Sequence, residues 1–373
     1  MKVPYFDLSR SHQKFAAQAQ EAFDRIMKSG AYILGPALKD LEAEFAAYIG
    51  TPYALGVGSG TDALIFALRA LDIKKGDEVI VPSFTFMATA LAVLHVGATP
   101  VFADVNEKTF NLDPKSVAQA LNPKTRAMIP VHLFGQCANM TALVALAKQK
   151  KLKVVEDACQ AHGALWNKVM AGAFGHAGCF SFYPTKNLGG IGDGGMITTS
   201  DEKLLKRVIQ YRNLGKGIDD PFIHDEIGWT SRLDSLQAAF LSIKLKFLDE
   251  LNRERRAVAE MYHKKLAGTP LGLPRETARA YHVYHLYVVC VPDGKRNALK
   301  EHLAAQGIPT MVHYATPVHA QPIMKKYKTR KVKLPVTERL SEEVLTLPLF
   351  PGMTGPEVDA VAGAIRRFFG EKS

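Results

Sequence analysis

Between about residues 50 and 200 the chain alternates short apolar runs with longer stretches whose apolar positions recur at helical spacing. Tyr53–Val57, Glu78–Val81, Val101–Ala103, Ala127–Val131, Lys153–Glu156, Gly178–Phe182 and Met196–Thr199 predict strands. Thr61–Leu71, Met140–Lys150 and the segment after Thr85 predict helices between them. Strands apolar along most of their length and separated by helices belong to a mostly parallel sheet covered on both faces. The pattern therefore predicts an α/β fold.

Beyond that region Asp201–Arg212 predicts a helix leaving the sheet. One long helix is expected from Leu233 to His263, bridging to a smaller unit. Tyr284–Val291 predicts a strand, Lys295–Gln306 a helix and Gly355–Phe369 a final helix. A chain of 373 residues exceeds one compact core. The expected organisation is a large domain over residues 1–249, including an N-terminal segment, and a small α/β C-terminal domain over 250–373.

Composition adds little to this: 47% hydrophobic and 22% charged residues describe an ordinary globular protein. The opening MKVPYFDLSR lacks the apolar core of a signal peptide, and no apolar run reaches the roughly 18 residues that span a bilayer. A cytoplasmic location without a membrane partner is the expectation. Cys137, Cys159, Cys179 and Cys290 form no CxxC pair, so they read as reduced thiols rather than a metal site or a disulfide framework. The formal charge of +11 matters more, with its densest basic run at 325–333 (KKYKTRKVK). That run reads either as a solvated loop or as an attractor for an anionic small molecule such as a nucleotide diphosphate. No module for binding nucleic acid accompanies it.

Candidate chemistry lies just after three of the predicted strands, where open parallel sheets bind ligands. Tyr53–Val57 runs into GSGTDAL, so Gly58, Gly60 and Thr61 open a helix whose N-terminus suits an anion, although Thr61 also reads as a simple N-cap. Asp157 follows Lys153–Glu156 and reads either as a turn carboxylate or as a partner that keeps a heterocyclic nitrogen protonated. Lys186 lies between the strand ending GCFSF and the loop NLGGIGDGG. A lysine held there can be desolvated toward its neutral, nucleophilic form. A phosphate, a protonatable ring nitrogen and an aldehyde together describe pyridoxal 5′-phosphate (PLP).

The order of motifs resembles the DegT/DnrJ/EryC1/StrS family of nucleotide-sugar aminotransferases, whose fold is the aspartate-aminotransferase-like fold type I. The resemblance runs through YILGP (32–36), GSGTDAL (58–64), PSFTFMATA (82–90), NLDP (111–114) and PVHLFGQCANM (130–140). It continues through EDACQAHGA (156–164), SFYPTKNLGGIGDGG (181–195), SRLDSLQAA (231–239), VHYATPVHAQP (312–322) and LPLFPGMT (347–354). It implies that Lys186 forms the Schiff base with PLP, Asp157 pairs with the ring nitrogen and Gln160 bonds the phenolic oxygen. Gly60, Thr61 and Ser181 would hold the phosphate, and Phe86 would stack on the ring. Where the family usually has an asparagine reaching the partner subunit's cofactor phosphate, this chain has Thr230, with one donor instead of two.

The implied reaction is ping-pong: L-glutamate gives its amino group to the cofactor, which passes it to a nucleotide-linked keto-sugar, with Lys186 as general base and acid. His313, His319, Arg232 and Tyr32 are the candidate substrate contacts. Arg232 is chosen for the bidentate fit of a guanidinium to a carboxylate. The resemblance leans to amination at the 3-position of a UDP- or TDP-sugar, for deoxyamino-sugar or cell-surface polysaccharide synthesis. A 4-aminotransferase of the same family is the main alternative. Related PLP-binding dehydratases carry histidine in place of the Schiff-base lysine, which Lys186 argues against. A non-catalytic regulator would not need the full cofactor set. An aminotransferase acting on amino acids alone would need a carboxylate-clamping arginine near the C-terminus, and Arg366 and Arg367 read as part of an exposed helix. A homodimer with shared active sites is implied.

Overall fold

The computed structural model describes residues 2–370 except Pro221, Lys328 and Lys331. Nine strands occupy the first two hundred residues: β1 (Tyr53–Val57), β2 (Glu78–Pro82), β3 (Thr99–Ala103), β4 (Thr125–Met128), β5 (Lys153–Asp157), β6 (Leu165–Trp166), β7 (Val169–Met170), β8 (Ala177–Ser181) and β9 (Gly195–Thr199). Seven of them build one sheet in the order β1-β9-β8-β5-β4-β2-β3. Only β9 runs against its neighbours; β8, β5, β4, β2 and β3 pair in parallel, and β1 shares their direction.

Each strand is buried along nearly its whole length because successive side chains enter opposite cores. Ala54, Ile80, Val101, Phe180 and Met196 join one cluster with helices Pro36–Ile49 and Met140–Lys150. Their neighbours Leu55, Val79, Phe102, Cys179 and Ile197 join the other, with Gly60–Ala70, Ala88–His95 and Glu202–Tyr211. The mostly parallel α/β sheet expected from the sequence is present.

The single long helix expected over 233–263 is two helices, Ser235–Leu245 and Leu248–Leu266. The ladder stops at Lys246–Phe247, where the Lys246 and Phe247 N–H groups turn back to Ile243 and Lys244. The Phe247 ring packs against Phe15, with centroids 5.6 Å apart. Apolar spacing continues across this break, so periodicity alone did not mark it. Helices Ala16–Ser29, Pro114–Ala120 and Pro335–Glu343 add to those expected.

A third cluster joins Val3 with Val258, Tyr262, Leu299, Val361 and other residues between 258 and 365. It surrounds a two-stranded antiparallel sheet of β11 (Tyr287–Cys290) and β12 (Val344–Leu347), while β10 (Ala280–Tyr281) pairs with β6. The strand expected at Tyr284–Val291 is shorter, Tyr287–Cys290, and Tyr284, at φ 42°, lies outside it. The C-terminal segment also reaches back across the main sheet. Asp104, at the end of β3, accepts from the Val336 and Thr337 N–H groups and caps the helix that follows, and Val318 N–H donates to Ser83 O. Lys325 and Lys326 of the basic run are exposed and Arg330 donates to Ala120 O; Lys328 and Lys331 of that run lie outside the described residues. Among the described residues no helix is long and apolar enough to cross a membrane.

Candidate active site

The carboxyl ends of β1, β5 and β8 deliver their next residues to one edge of the sheet. Ser59, not Thr61, is the N-cap of helix Gly60–Ala70, its hydroxyl accepting from Asp62 N–H at 3.0 Å. The Thr61 hydroxyl has no partner among the described residues, and the first amides of a helix have none within it. A Cβ on Gly60 would stand 2.7 Å from Ser181 Cβ and 2.9 Å from Cys159 Sγ, so only glycine allows the turn after β1 to meet the end of β8. Gly60, Thr61 and Ser181 thus border a small cradle of amide and hydroxyl donors.

Asp157 closes β5 and is buried, yet both its oxygens have donors. Thr89 Oγ1 donates to Oδ2 at 2.8 Å and Cys159 N–H to Oδ1 at 3.2 Å. Gln160 is equally fixed: its Oε1 accepts from Phe134 N–H at 2.9 Å and its Nε2 donates to the Tyr314 hydroxyl at 3.1 Å. One Nε2 proton remains for a ligand.

Lys186 ends the tight turn Tyr183–Lys186, its N–H donating to Tyr183 O at 2.9 Å. The loop then folds back through Phe182 N–H to Gly194 O and Gly190 N–H to Phe182 O. A Cβ on Gly189 would drive into the Pro184 carbonyl, which explains a glycine where the loop recrosses its own start. Burial lowers the Lys186 pKa from the ordinary lysine value, and the nearby Cys159 thiol and Asp157 carboxylate oppose this. The lysine is thereby poised toward a neutral amine beside Asp157. Asn187 anchors it from behind, donating to Asn252 Oδ1 and Val283 O and pairing with His285 Nδ1 at 3.1 Å.

Phe86 is 59% exposed at the rim, its ring centroid 6.3 Å from that of Tyr314. His313 Nδ1 lies 2.8 Å from Thr346 Oγ1, and burial, then the charge of Lys186, lowers its pKa to about 4. His313 is therefore neutral near pH 7 and within the field of Lys186. Arg232 donates to Asn213 Oδ1 at 3.1 Å; Thr230 is exposed on the same segment and bridges to Asn213.

Among the described residues the side chains of Arg232, His319 and Tyr32 make no hydrogen bond to Lys186, Asp157 or Gln160. His319 Nδ1 pairs with Ser83 Oγ at 2.7 Å, with Glu338 3.7 Å from its other nitrogen. The Tyr32 hydroxyl is 3.8 Å from Met27 Sδ, on an exposed segment. Arg366 and Arg367, set aside as a carboxylate clamp, bind the carbonyls of Lys265 and Ala267 and the Gln306 side chain.

Sequence reasoning missed Thr89 and Tyr314. Both lie inside motifs it used: Thr89 is in PSFTFMATA, in the first turn of helix Ala88–His95, and Tyr314 adjoins His313. What it lacked was the knowledge that residues 89 and 314 approach Asp157 and Gln160. A cradle of donors, a fixed carboxylate, a free amide proton and a desolvated lysine fit a ligand with a phosphate, a protonated ring nitrogen, a phenolic oxygen and a carbonyl, as in PLP.

Comparison with known proteins gives the same direction. The model of the DegT/DnrJ/EryC1/StrS aminotransferase family matches residues 13–366. The dTDP-3-amino-3,4,6-trideoxy-alpha-D-glucose transaminase of Streptomyces venezuelae is 44% identical over 368 residues, covering 98% of this chain and 96% of that one. The UDP-N-acetyl-3-dehydro-alpha-D-glucosamine 3-aminotransferase of Acidithiobacillus ferrooxidans is 41% identical over 365 residues, covering 98% and 97%. The crystal structure of S. venezuelae DesV in complex with a ketimine intermediate superposes with a TM-score of 0.95 at 43% identity, covering 100% of both chains.

Proposed function

Because the chain belongs to the DegT/DnrJ/EryC1/StrS aminotransferase family, we propose that it transfers an amino group from L-glutamate to the 3-position of a nucleotide-linked keto-sugar, dTDP- or UDP-linked. It is a PLP-dependent transaminase with the fold-type-I architecture of its solved relatives. The convergence of Lys186, Asp157, Gln160 and the Gly60–Ser181 cradle at one sheet edge carries the reading. The choice of acceptor is supported by two relatives whose names place the amine at position 3.

In this reading Gly60, Thr61 and Ser181 hold the cofactor phosphate, and Asp157 accepts from the ring nitrogen while Gln160 donates to the phenolic oxygen. Phe86 covers the ring. Bound PLP supplies a carbonyl carbon that takes up amines and a ring that withdraws electrons. Lys186 Nζ, lowered toward neutrality by burial, takes a proton at the substrate carbon and returns it. His313 and Arg232 lie toward the substrate end, with Tyr32 and His319 as outer candidates.

The enzyme would act as a homodimer with shared sites, Thr230 facing the partner's cofactor phosphate. Exposed Phe23 and Ile191, on a cavity of about 310 Å³ lined also by Phe15 and Phe240, support such an apolar face. Four unpaired cysteines suit work in the reducing cytoplasm, in deoxyamino-sugar or surface-polysaccharide synthesis.

The test is a two-stage assay. Glutamate should bleach the yellow PLP-loaded protein, and dTDP- or UDP-linked 3-keto-sugars should restore the colour and emerge aminated. Restoration by 4-keto-sugars alone would move the reaction to position 4. Colour indifferent to glutamate would replace the donor.

A further inference from the structure

The turn Gly58–Ser59–Gly60 offers one side chain, and that side chain is spent capping its own helix. Its backbone direction must therefore be held from outside. Three side chains do so at the end of β1. Glu42 Oε1 accepts from Gly56 N–H at 2.8 Å and pairs with Arg212, whose guanidinium donates to Gly56 O at 2.9 Å. Two residues further on, Ser231 Oγ accepts from Gly58 N–H at 2.9 Å and donates to Asp62 Oδ2 at 2.8 Å.

Ser231 is only 4% exposed, and its backbone is fixed by its N–H to Arg212 O at 3.1 Å. Its hydroxyl joins the turn that precedes the helix N-terminus to a carboxylate in the first turn of that helix. On either side of it, the Thr230 backbone bridges to Asn213 and the Arg232 guanidinium donates to Asn213 Oδ1. One hydroxyl thus links the phosphate-binding turn to the segment carrying two candidate cofactor and substrate contacts.

We propose that Ser231 is a positioning residue that sets the amides of the Gly58–Thr61 turn for the phosphate of the cofactor. It touches no reacting atom. Replacing it with alanine leaves Gly58 N–H without an acceptor and Asp62 Oδ2 without this donor, so the turn can rotate. An interaction of this kind corresponds to about a tenfold change in affinity. The loss should fall on phosphate recognition and not on the aldehyde end of the ligand. The inference rests on the assignment of Gly60, Thr61 and Ser181 to the phosphate, and the test separates the two.

Binding of PLP and of pyridoxal, which lacks the phosphate, is measured by absorbance titration of apo-protein for the parent, S231A and S231T. Unfolding midpoints of the apo-proteins are measured alongside. The expected result is about tenfold weaker PLP binding by S231A with pyridoxal binding within twofold of the parent, and recovery of most PLP affinity in S231T, which keeps a hydroxyl. Equal losses for PLP and pyridoxal, or unchanged PLP binding in S231A, would overturn the proposal. A parent that binds pyridoxal as tightly as PLP would overturn the phosphate assignment itself, and the proposal with it.

Discussion

The hydroxyl of Thr89 donates a 2.8 Å hydrogen bond to Oδ2 of Asp157, at the bottom of the site and shielded from solvent. Asp157 Oδ1 is held by Cys159 N–H, so the carboxylate cannot turn without breaking a bond on one side. Removing the hydroxyl while keeping its shape should let it turn. T89V is expected to lower kcat of the glutamate half-reaction about tenfold, the scale of one hydrogen bond to a charged group, while T89S stays close to the parent. Stopped-flow bleaching measures both; equal rates in T89V and the parent would separate Thr89 from the chemistry.

Thr230 is the one position where the chain departs from the cofactor set implied by its family. Threonine offers a single donor and a shorter reach than asparagine. In the dimer proposed above, T230N should tighten PLP binding by roughly three- to tenfold. Equilibrium titration of apo-protein gives the answer, and unchanged affinity would remove residue 230 from the phosphate site.

The chemistry was more legible than the tertiary contacts. Asp157 ends one apolar strand and Lys186 closes the turn after another, so the strand pattern alone points to where their side chains emerge. Ser231 and Tyr314 could not be valued in the same way, because each acts on a residue about 150 positions or more away: Ser231 on Gly58, Tyr314 on Gln160. Register and distance are properties of the packed chain. The break at Lys246–Phe247 was hidden for a related reason: the two helices keep one apolar spacing across it, while the Phe247 ring meets Phe15 from far along the chain. His319 shows the converse, a histidine in a family motif whose ring is occupied by Ser83.

Lys244 gives a pH signature independent of catalysis. It is 2% exposed, its side chain donates among the described residues to Gly189 O alone, and burial lowers its pKa to about 7. Between about 7 and the ordinary lysine value of 10.5, the unfolded chain holds a proton that the folded chain has released. Folding stability attributable to this residue should therefore rise with pH across that window. At about 1.4 kcal/mol per pH unit the whole effect amounts to a few kcal/mol. Denaturant unfolding of the parent and K244M at a series of pH values should show the parent gaining on the variant as pH rises. A constant difference between them would contradict the assignment.

The central claim is that Lys186 holds the cofactor. Borohydride reduction of PLP-loaded protein fixes the imine, and peptide mass spectrometry locates it. The expected result is a pyridoxyl group on the peptide carrying Lys186, with K186A unlabelled and without turnover. A label on another lysine, or near-normal turnover by K186A, would contradict the account.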